Sequence, residues 1–117
     1  MYQGKGVDQI EDLHHTSFAD HSVVTVICLE TFEHISQPFK AAQEIHRILN
    51  EDGFCFISVP MRLGLHAHPS DYWRYITKGL EELFKDFQHV VVWYDGYITF
   101  PDQVFALAWK SAPPGQS

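Results

Sequence analysis

Two apolar runs joined by a helix-like segment constrain the fold of this chain more than any other feature. They are VVTVICL, residues 23–29, and GFCFISV, residues 53–59. Neither run alternates apolar with polar residues, which is typical of strands that are covered on both faces inside a parallel sheet. A strand, a helix and a second strand with short links imply a right-handed parallel crossover. The sequence therefore predicts an α/β fold.

The segment between the two runs has the spacing of an amphipathic helix. We expect Ser36 to be its N-cap, Pro38 to lie in its first turn and Asn50–Gly53 to end it. The apolar residues recur at intervals of three and four, which gives one face that can pack on the sheet. These residues are Ala41, Ala42, Ile45, Ile48 and Leu49.

The second half of the chain predicts another helix and two more strands. The helix is expected to be capped by Thr77 and to carry one apolar face. That face consists of Leu80, Leu83, Phe84 and Phe87. HVVVWY (89–94) and QVFALAWK (103–110) predict two strands that pair antiparallel at the sheet edge. Val7–Ile10 gives a weaker strand signal near the start of the chain.

The length fits one domain. We expect this domain to cover residues 1–110 and a disordered tail to follow at residues 111–117. Trp93 and Trp109 lie in the predicted strands, and the core is the expected place for them. Eight histidines are present, but no second pair stands at zinc-ligand spacing, so we expect no metal site.

Composition makes several classes of partner improbable. The formal charge is −7, and the eight Lys and Arg residues form no cluster, so neither nucleic acid nor an anionic membrane is expected. No apolar stretch approaches the roughly 20 residues that span a membrane, and no signal-peptide pattern is visible, which favours the cytoplasm. Cys28 and Cys55 lie inside the apolar runs. We expect small buried hydrophobes there, in preference to a disulfide, a metal site or a nucleophile.

Several short elements, taken in order, resemble one enzyme family. They are an acidic residue before a Phe-containing loop, an apolar strand that leads to Glu-His, a helix with EIHRIL, and the EDGFCFISVP strand. Together they resemble the carboxyl-terminal part of a class I S-adenosylmethionine-dependent methyltransferase of type 11. The resemblance implies a truncated Rossmann-like sheet without the family's first two strands and glycine-rich loop, and with an antiparallel strand pair at its carboxyl-terminal end.

The resemblance also implies where S-adenosylmethionine binds. Asp12 and Leu13 match the residues that border the adenine in the family. Leu29 and Glu30 match the strand end that passes the methionine portion of the cofactor. The glycine-rich turn and the acidic residue that holds the ribose hydroxyls have no counterpart in this sequence, so we expect this chain alone to be incomplete or inactive.

Glu33 and His34 follow the first apolar run, at the end where ligands bind in open parallel sheets. In the family, His34 matches a position that faces the active-site mouth and can act as a base, and Glu33 lies beside it. Methyl transfer mainly requires orientation and a group that accepts the nucleophile's proton. The alternative is that Glu33 and His34 only end a strand and cap the next turn.

The segment MRLGLHAHPSDYWRYI, residues 61–76, has neither a helical nor a strand period and is long for a connection in a compact domain. Within it, HAHPSDYWRY, residues 66–75, is the most unusual stretch for a purely structural segment. An Arg can bind a carboxylate or phosphate, and the rings can stack on a substrate. The candidate substrate residues are His68, Asp71, Tyr72, Trp73 and Arg74. The alternative is that the two rings pack on the sheet while the acid and the Arg form a local salt bridge.

The absence of the family's first strand implies a partner. In the family's sheet that strand lies against the one matching residues 23–29, which would otherwise be a long unpaired edge. We expect a homodimer that pairs this edge across a two-fold axis, or a separately encoded amino-terminal half. The predicted function is methyl transfer to a small molecule. The alternatives are a non-catalytic remnant that acts as a dimeric scaffold or regulator, and a start site that was assigned wrongly or a chosen chain boundary.

Overall fold

The computed structural model describes residues 2–3, 13–29, 31–60, 75–97 and 100–111 of the 117-residue chain. In chain order the described elements are β1 (Tyr2–Gln3), β2 (Val23–Leu29), α1 (Pro38–Ile48), β3 (Leu49–Pro60), α2 (Thr77–Leu83), β4 (His89–Tyr97) and β5 (Phe100–Trp109). A 3-10 turn, Phe32–His34, lies between β2 and α1. Neither described helix is long and apolar enough to cross a membrane.

The strands form one sheet in the order β1-β2-β3-β5-β4. β2 and β3 are parallel, with Val26 opposite Cys55 and Cys28 opposite Ile57, which confirms the predicted crossover. β4 and β5 pair antiparallel, as predicted. Of these two strands, only β4 lies at an edge of the sheet, because β5 sits between β4 and β3. The observed architecture is the α/β fold that the sequence predicts.

The core lies between the two helices and one face of the sheet. Alternate residues of β2, β3 and β5 point toward the helices, because side chains alternate across a strand. The predicted apolar faces of both helices are buried against them, although α2 ends at Leu83 and so Phe84 and Phe87 lie beyond it. The principal core residues are Val26, Cys28, Ile45, Ile48, Cys55, Ile57, Leu80, Leu83, Phe84, Phe87, Val104, Ala106 and Ala108.

Both cysteines belong to this core, as expected. Cys28 and Cys55 are completely buried and do not form a disulfide. Burial raises the pKa of the Cys28 thiol to about 12. It also raises the pKa of Cys55 well above its usual value. Both groups therefore remain neutral thiols at physiological pH and behave as small hydrophobes.

The edge of β2 is not wholly open, so that expectation is wrong. β1 pairs antiparallel with it, with Tyr2 opposite Ile27 and Gln3 opposite Val26. β1 has two residues and β2 has seven, so the pairing covers the middle of the strand only. The predicted strand at Val7–Ile10 lies outside the described residues.

The helix starts differ from the predictions by one residue. α1 is preceded by Gln37, not Ser36, as its N-cap, and Pro38 occupies the first turn as predicted. The backbone N–H of Ala41 donates to the Gln37 carbonyl, which fixes this boundary. α2 has Ile76 as its N-cap, and the predicted cap, Thr77, is its first helical residue.

The end of α1 was also predicted wrongly. The helix stops at Ile48, and Leu49 already has extended backbone with φ −68° and ψ 135°. β3 therefore begins four residues before the predicted Gly53, and Asn50–Gly53 is part of the strand. Leu49 continues the apolar helical spacing and is fully buried, so its pattern suits either structure.

The second face of the sheet is less covered than the first. Trp93 is 39% exposed, which contradicts the expectation of a core position, and Trp109 is only half-buried. The strand registers place twelve residues on the three central rows of this face, and we call these rows the aromatic face. Its residues are Thr25, Ile27, Leu29, Phe54, Phe56, Ser58, His89, Val91, Trp93, Phe105, Leu107 and Trp109. Pro60, Gln103 and Asp95 form the next row.

The predicted tail is described only at its first residue. Ser111 donates a hydrogen bond from Oγ to Oε1 of Glu51 at 3.0 Å. Lys110, just before it, donates from Nζ to the Leu49 carbonyl at 2.8 Å. The chain is therefore held to the start of β3 through residue 111, and residues 112–117 lie outside the described part.

Candidate functional site

The carboxyl end of β2 leads directly into the turn that carries the candidate base. Leu29, the last residue of β2, is 50% exposed, and its carbonyl accepts a hydrogen bond from Thr31 Oγ1 at 3.1 Å. The backbone N–H of His34 donates to the Thr31 carbonyl at 2.9 Å, which closes the 3-10 turn. His34 is half-buried, and the backbone of Glu33 lies in the same turn. The turn thus lies at the carboxyl end of the parallel strands, where ligands bind in open α/β sheets.

A buried aromatic residue fastens the turn to the core. Phe32 is fully buried, and its ring lies 5.7 Å from that of Phe84, beyond the end of α2. The Phe32 carbonyl accepts a hydrogen bond from the Tyr75 hydroxyl at 3.2 Å. Tyr75 is 8% exposed and directly precedes the N-cap of α2. The packing of Phe32 and the hydrogen bond from Tyr75 therefore fix the position of the turn, in addition to its own backbone bond.

The loop at residues 13–22 contacts the start of α1 through His14. Nε2 of His14 accepts a hydrogen bond from the backbone N–H of Gln37 at 3.2 Å. A neutral His14 ring that accepts at Nε2 carries its proton on Nδ1. Gln37 makes no side-chain cap of its own, so His14 meets a backbone donor at the start of α1. Leu13, the neighbour of His14, is 5% exposed.

Five residues, which we call the Glu44 cluster, hold the rest of this loop to α1. They are Thr16, Phe18, Asp20, Glu44 and Arg47. The Glu44 carboxylate accepts hydrogen bonds at Oε2 from the backbone N–H and hydroxyl of Thr16, both at 2.8 Å. It also accepts from Arg47, at Oε2 from Nη2 at 2.6 Å and at Oε1 from Nε at 3.0 Å. Arg47 further donates to Asp20 Oδ1 at 2.6 Å and to the Phe18 carbonyl at 2.8 Å.

Glu44 and Arg47 are both charged at neutral pH. The hydrogen bonds from Arg47 are the largest cause that lowers the pKa of Glu44 to about 2, against an opposing effect of burial. The same bonds, together with those to Asp20, raise the pKa of Arg47. The Glu44 side chain is charged although only 8% of it is exposed. Hydrogen bonds from Thr16 and Arg47 to its carboxylate oxygens compensate for the water that burial removes. The cluster therefore fixes the loop that starts at Leu13.

The structure brings together part of the predicted site. Leu29, Glu33 and His34 lie at the end of β2, while Leu13 lies in the core cluster. Leu13 is covered by its own chain, so it offers a ligand mainly its backbone. Seven predicted site residues lie outside the described residues: Asp12, Glu30, His68, Asp71, Tyr72, Trp73 and Arg74.

Sequence reasoning missed the residues that position this site. The i,i+3 spacing of Glu44 and Arg47 on one helix was a signal for an ion pair, but nothing indicated Thr16 as its third member. His14 and Tyr75 act through contacts across 23 and 43 residues of chain, which no local pattern encodes. Within the described ranges, no group of three or more His, Cys, Asp or Glu side chains could hold a metal ion.

Comparison with known proteins gives both a family and a fold. Residues 2–57 match the family described as a methyltransferase domain. No curated protein sequence matches the chain significantly. Solved methyltransferases nevertheless have the same fold.

A protein of Haloferax volcanii assigned as a methyltransferase, solved with the Trm112 methyltransferase activator, aligns with a TM-score of 0.72 and 20% identity over 92% of this chain and 62% of its own. For an S-adenosylmethionine-dependent methyltransferase of Thermotoga maritima the TM-score is 0.69, with 16% identity over 85% and 61%. For phosphoethanolamine N-methyltransferase 2 of Haemonchus contortus, solved with S-adenosylmethionine, it is 0.70, with 15% identity over 86% and 36%.

The fold is thus the one found in class I methyltransferases, with a parallel crossover followed by an antiparallel strand pair. The family match covers residues 2–57, just under half of the chain, and the likeness to the solved methyltransferases is one of fold. The chain spans 62% and 61% of the lengths of the first two of these neighbours.

Proposed function

We propose that this chain takes part in methyl transfer from S-adenosylmethionine to a small molecule, and that a partner completes its cofactor pocket. The observation that carries the proposal is the fastened turn Phe32–His34 at the carboxyl end of β2, with an exposed Leu29 before it. Sites in open α/β sheets lie at this end of the strands. The methyltransferase family that residues 2–57 match suggests the reaction.

In this proposal each rim residue has a defined role. The exposed side chain of Leu29 contacts the methionine portion of the cofactor, and Glu30 follows it. The loop at Asp12 and Leu13 borders the adenine and is held to α1 by the Glu44 cluster. Bound S-adenosylmethionine supplies an electrophilic methyl group. The chain itself orients the acceptor and removes its proton.

His34 is the proposed base, with Glu33 beside it. The turn holds the backbone of His34 through the bond to Thr31, and Phe32 anchors the turn in the core. A base held on a rigid turn keeps a fixed distance to a bound acceptor, which is what proton transfer requires. The candidate substrate residues of the segment His68–Arg74 precede Tyr75, whose hydroxyl bonds the same turn.

A small-molecule acceptor is supported by one structural neighbour. The Haemonchus contortus protein is named as a phosphoethanolamine methyltransferase, and phosphoethanolamine is a small molecule. A partner is supported by the Haloferax volcanii structure, in which the methyltransferase was solved together with an activator protein. We propose a second copy of this chain or a separately encoded amino-terminal half as the partner.

The partner matters energetically. The chain has no counterpart of the glycine-rich turn and ribose-binding acid of the family. Losing roughly 4 kcal/mol of cofactor contacts weakens binding about a thousandfold. A micromolar site would then become a millimolar one, so the cofactor binds tightly only when a partner restores the lost contacts.

Calorimetric titration with S-adenosylhomocysteine, the product of the reaction, tests the proposal. Micromolar binding by the purified chain at a concentration where it is dimeric would support a pocket completed by a second copy. Leu29→Ala should then raise the Kd several-fold, whereas Val24→Ala should not. Val24 is the matched control because it is 46% exposed and lies at the opposite end of the same strand.

Absence of heat up to millimolar ligand, from a dimeric chain and equally after addition of a separately encoded amino-terminal half, would contradict the proposal. It would favour the alternative function, a methyltransferase fold that acts as a non-catalytic scaffold or regulator. Equal effects of the Leu29 and Val24 substitutions would show that ligand binds elsewhere.

A further inference from the structure

The aromatic face is a broad apolar surface on the side of the sheet opposite the helices. Apart from Thr25, Ser58 and His89, all its residues are apolar, and the face contains no Asp, Glu, Lys or Arg. The most exposed are Leu29 at 50%, Val91 at 43% and Trp93 at 39%. Large contiguous exposed apolar patches are uncommon on monomers and mark interaction sites.

The aromatic residues of this face form two groups, and we call the one made by Phe56, Phe105 and Trp93 the aromatic ridge. The rings of Trp93 and Phe105 are stacked at 5.3 Å between centroids, and Phe56 stacks on Phe105 at 6.1 Å. Phe54 and Trp109 form a second pair at 6.1 Å. The ridge therefore runs across β3, β5 and β4. The other side of the face, on β2, carries smaller side chains.

The sheet has a packed layer on one side only, within the described residues. Both α1 and α2 contribute to the core on the first face. Parallel strands such as β2 and β3 normally have both faces covered, and stable domains bury each apolar face against another layer. We therefore expect another layer to cover the aromatic face.

We propose that the aromatic face is the interface between two copies of this chain, packed sheet on sheet about a two-fold axis. This inference does not rest on the proposed activity, because Leu29, the proposed cofactor contact, is the corner residue of the face at the end of β2 and the interface does not require it. A two-fold interface places the same patch on both subunits, so the patch must complement itself. An axis that lies between the two sheets, parallel to the strands and midway between β2 and β4, lays β2 of one copy over β4 of the other. The small side chains of β2 then meet the aromatic ridge of the partner.

Size and charge both suit a second copy. Four strands at about 4.8 Å spacing and six residues at about 3.3 Å give a flat area on the order of 400 Å². The relief of large side chains raises the accessible area toward the roughly 800 Å² per partner of a stable interface. Each chain has a formal charge of −7, but the aromatic face itself carries no acidic residue. Asp95 lies in the next row, at the end of β4, so a two-fold axis midway between β2 and β4 keeps the two copies of it on opposite sides of the interface.

The sheet edges suit a second copy less well. β1 already pairs with Val26 and Ile27 in the middle of β2. At the other edge, β4 has an irregular register between Asp95 and Gly96, and Gly96 has φ 98°. Bulges of this kind disfavour edge-to-edge pairing. The face is therefore the better surface for a symmetric contact.

Sedimentation over a range of chain concentrations tests the interface. The native chain should be a dimer, and Val91→Lys and Trp93→Lys should each raise the dimer Kd more than about tenfold, because each buries two unpaired charges. Phe39→Lys and Ile76→Lys are matched controls, since these residues are 52% and 53% exposed but belong to the helical side. The controls should leave the Kd unchanged, and circular dichroism should show that all four variants are folded.

A mixing experiment tests the two-fold arrangement. The Val91→Lys and Ile27→Glu chains should each dimerise poorly alone, but their equimolar mixture should form a heterodimer. Ile27 and Val91 lie in the same row of the sheet, so Lys on β4 then faces Glu on the partner's β2. A native chain that stays monomeric at all concentrations would overturn the proposal. So would controls that weaken the dimer as much as the Val91 and Trp93 variants, or binding of a separately encoded half at this face instead of a second copy.

Discussion

Among single residues, Glu44 makes stability depend on pH. Its pKa is lowered from an ordinary value near 4.5 to about 2 in the folded chain. A lowered pKa stabilises the fold above pH 4.5, and this contribution disappears as the pH falls from about 4.5 to about 2. We expect Glu44→Gln to lower the free energy of unfolding at pH 7 by about 3 kcal/mol, and the difference from the native chain to vanish in acid. Urea denaturation of both chains at several pH values from 7 to 2.5 measures this difference in the free energy of unfolding.

Glu82→Gln is the control for this prediction. Glu82 is also paired with a basic residue three positions later, Lys85 at 2.8 Å, but both side chains are about 60% exposed. Exposed ion pairs contribute little to stability, so this variant should be nearly neutral at every pH. Equal losses in the free energy of unfolding of the two variants would show that the Glu44 cluster stabilises the fold no more than an exposed ion pair does.

The buried thiols give a second prediction at the residue scale. Cys28 and Cys55 are fully buried, and burial raises the pKa of both. The thiolate is the reactive form, so neither residue should react with a disulfide reagent at pH 8 in the native chain. In urea both should react. A thiol that reacts rapidly without denaturant would contradict the core position found for it.

At the scale of elements, Gly53 sets how closely β3 approaches β2. A Cβ at Gly53 would lie 2.9 Å from Cδ2 of Leu49 and 2.9 Å from the carbonyl oxygen of Val24. We expect Gly53→Ala to lower the free energy of unfolding by roughly 1–3 kcal/mol, because backbone must move. Gly79→Ala is the matched control. Its Cβ would meet nothing nearer than Tyr75 Cδ1 at 3.8 Å, and alanine favours a helix by about 0.5–1 kcal/mol.

Denaturation of the two glycine variants distinguishes these outcomes. Gly53→Ala should lower the urea midpoint and Gly79→Ala should raise it, each with an unchanged dependence on urea. A neutral Gly53→Ala would mean that the two strands separate easily at this point.

The sequence predicted the elements better than their boundaries. Runs of seven apolar residues and helical spacing are local signals, and they located β2, α1, β3, β4 and β5. Leu49 was misplaced because it satisfies both the helical period and burial in a strand. β1 was missed because a two-residue strand carries no pattern. Trp93 was misplaced because a residue's type does not say which face of the sheet lacks a layer.

The candidate site was predictable only in outline. The sequence located the turn after β2 because the end of an apolar strand is a local feature. It gave no sign that the Tyr75 hydroxyl bonds the Phe32 carbonyl, or that His14 meets the N–H of Gln37. Both contacts join distant parts of the chain, so they follow from the packing of the whole fold.

For the whole molecule, the proposed dimer predicts a thermal stability that depends on concentration. Anything that binds only the folded chain stabilises it by mass action, and a second copy does this in proportion to its concentration. The Tm of the native chain should rise as the chain is concentrated. That of Val91→Lys should be constant, and that of the control Ile76→Lys should rise as in the native chain. Scanning calorimetry at several concentrations measures this, and a constant native Tm would contradict the dimer.

The strand order also determines when the chain can fold as it is synthesised. β3 lies between β2 and β5, and β5 is the last described strand to leave the ribosome. Until Phe100–Trp109 has emerged, β3 has one neighbour and its apolar residues Phe54, Phe56 and Ile57 lack the strand that pairs with them. Nascent chains with such open strands are prone to aggregate. The sheet therefore closes only after β5 is available.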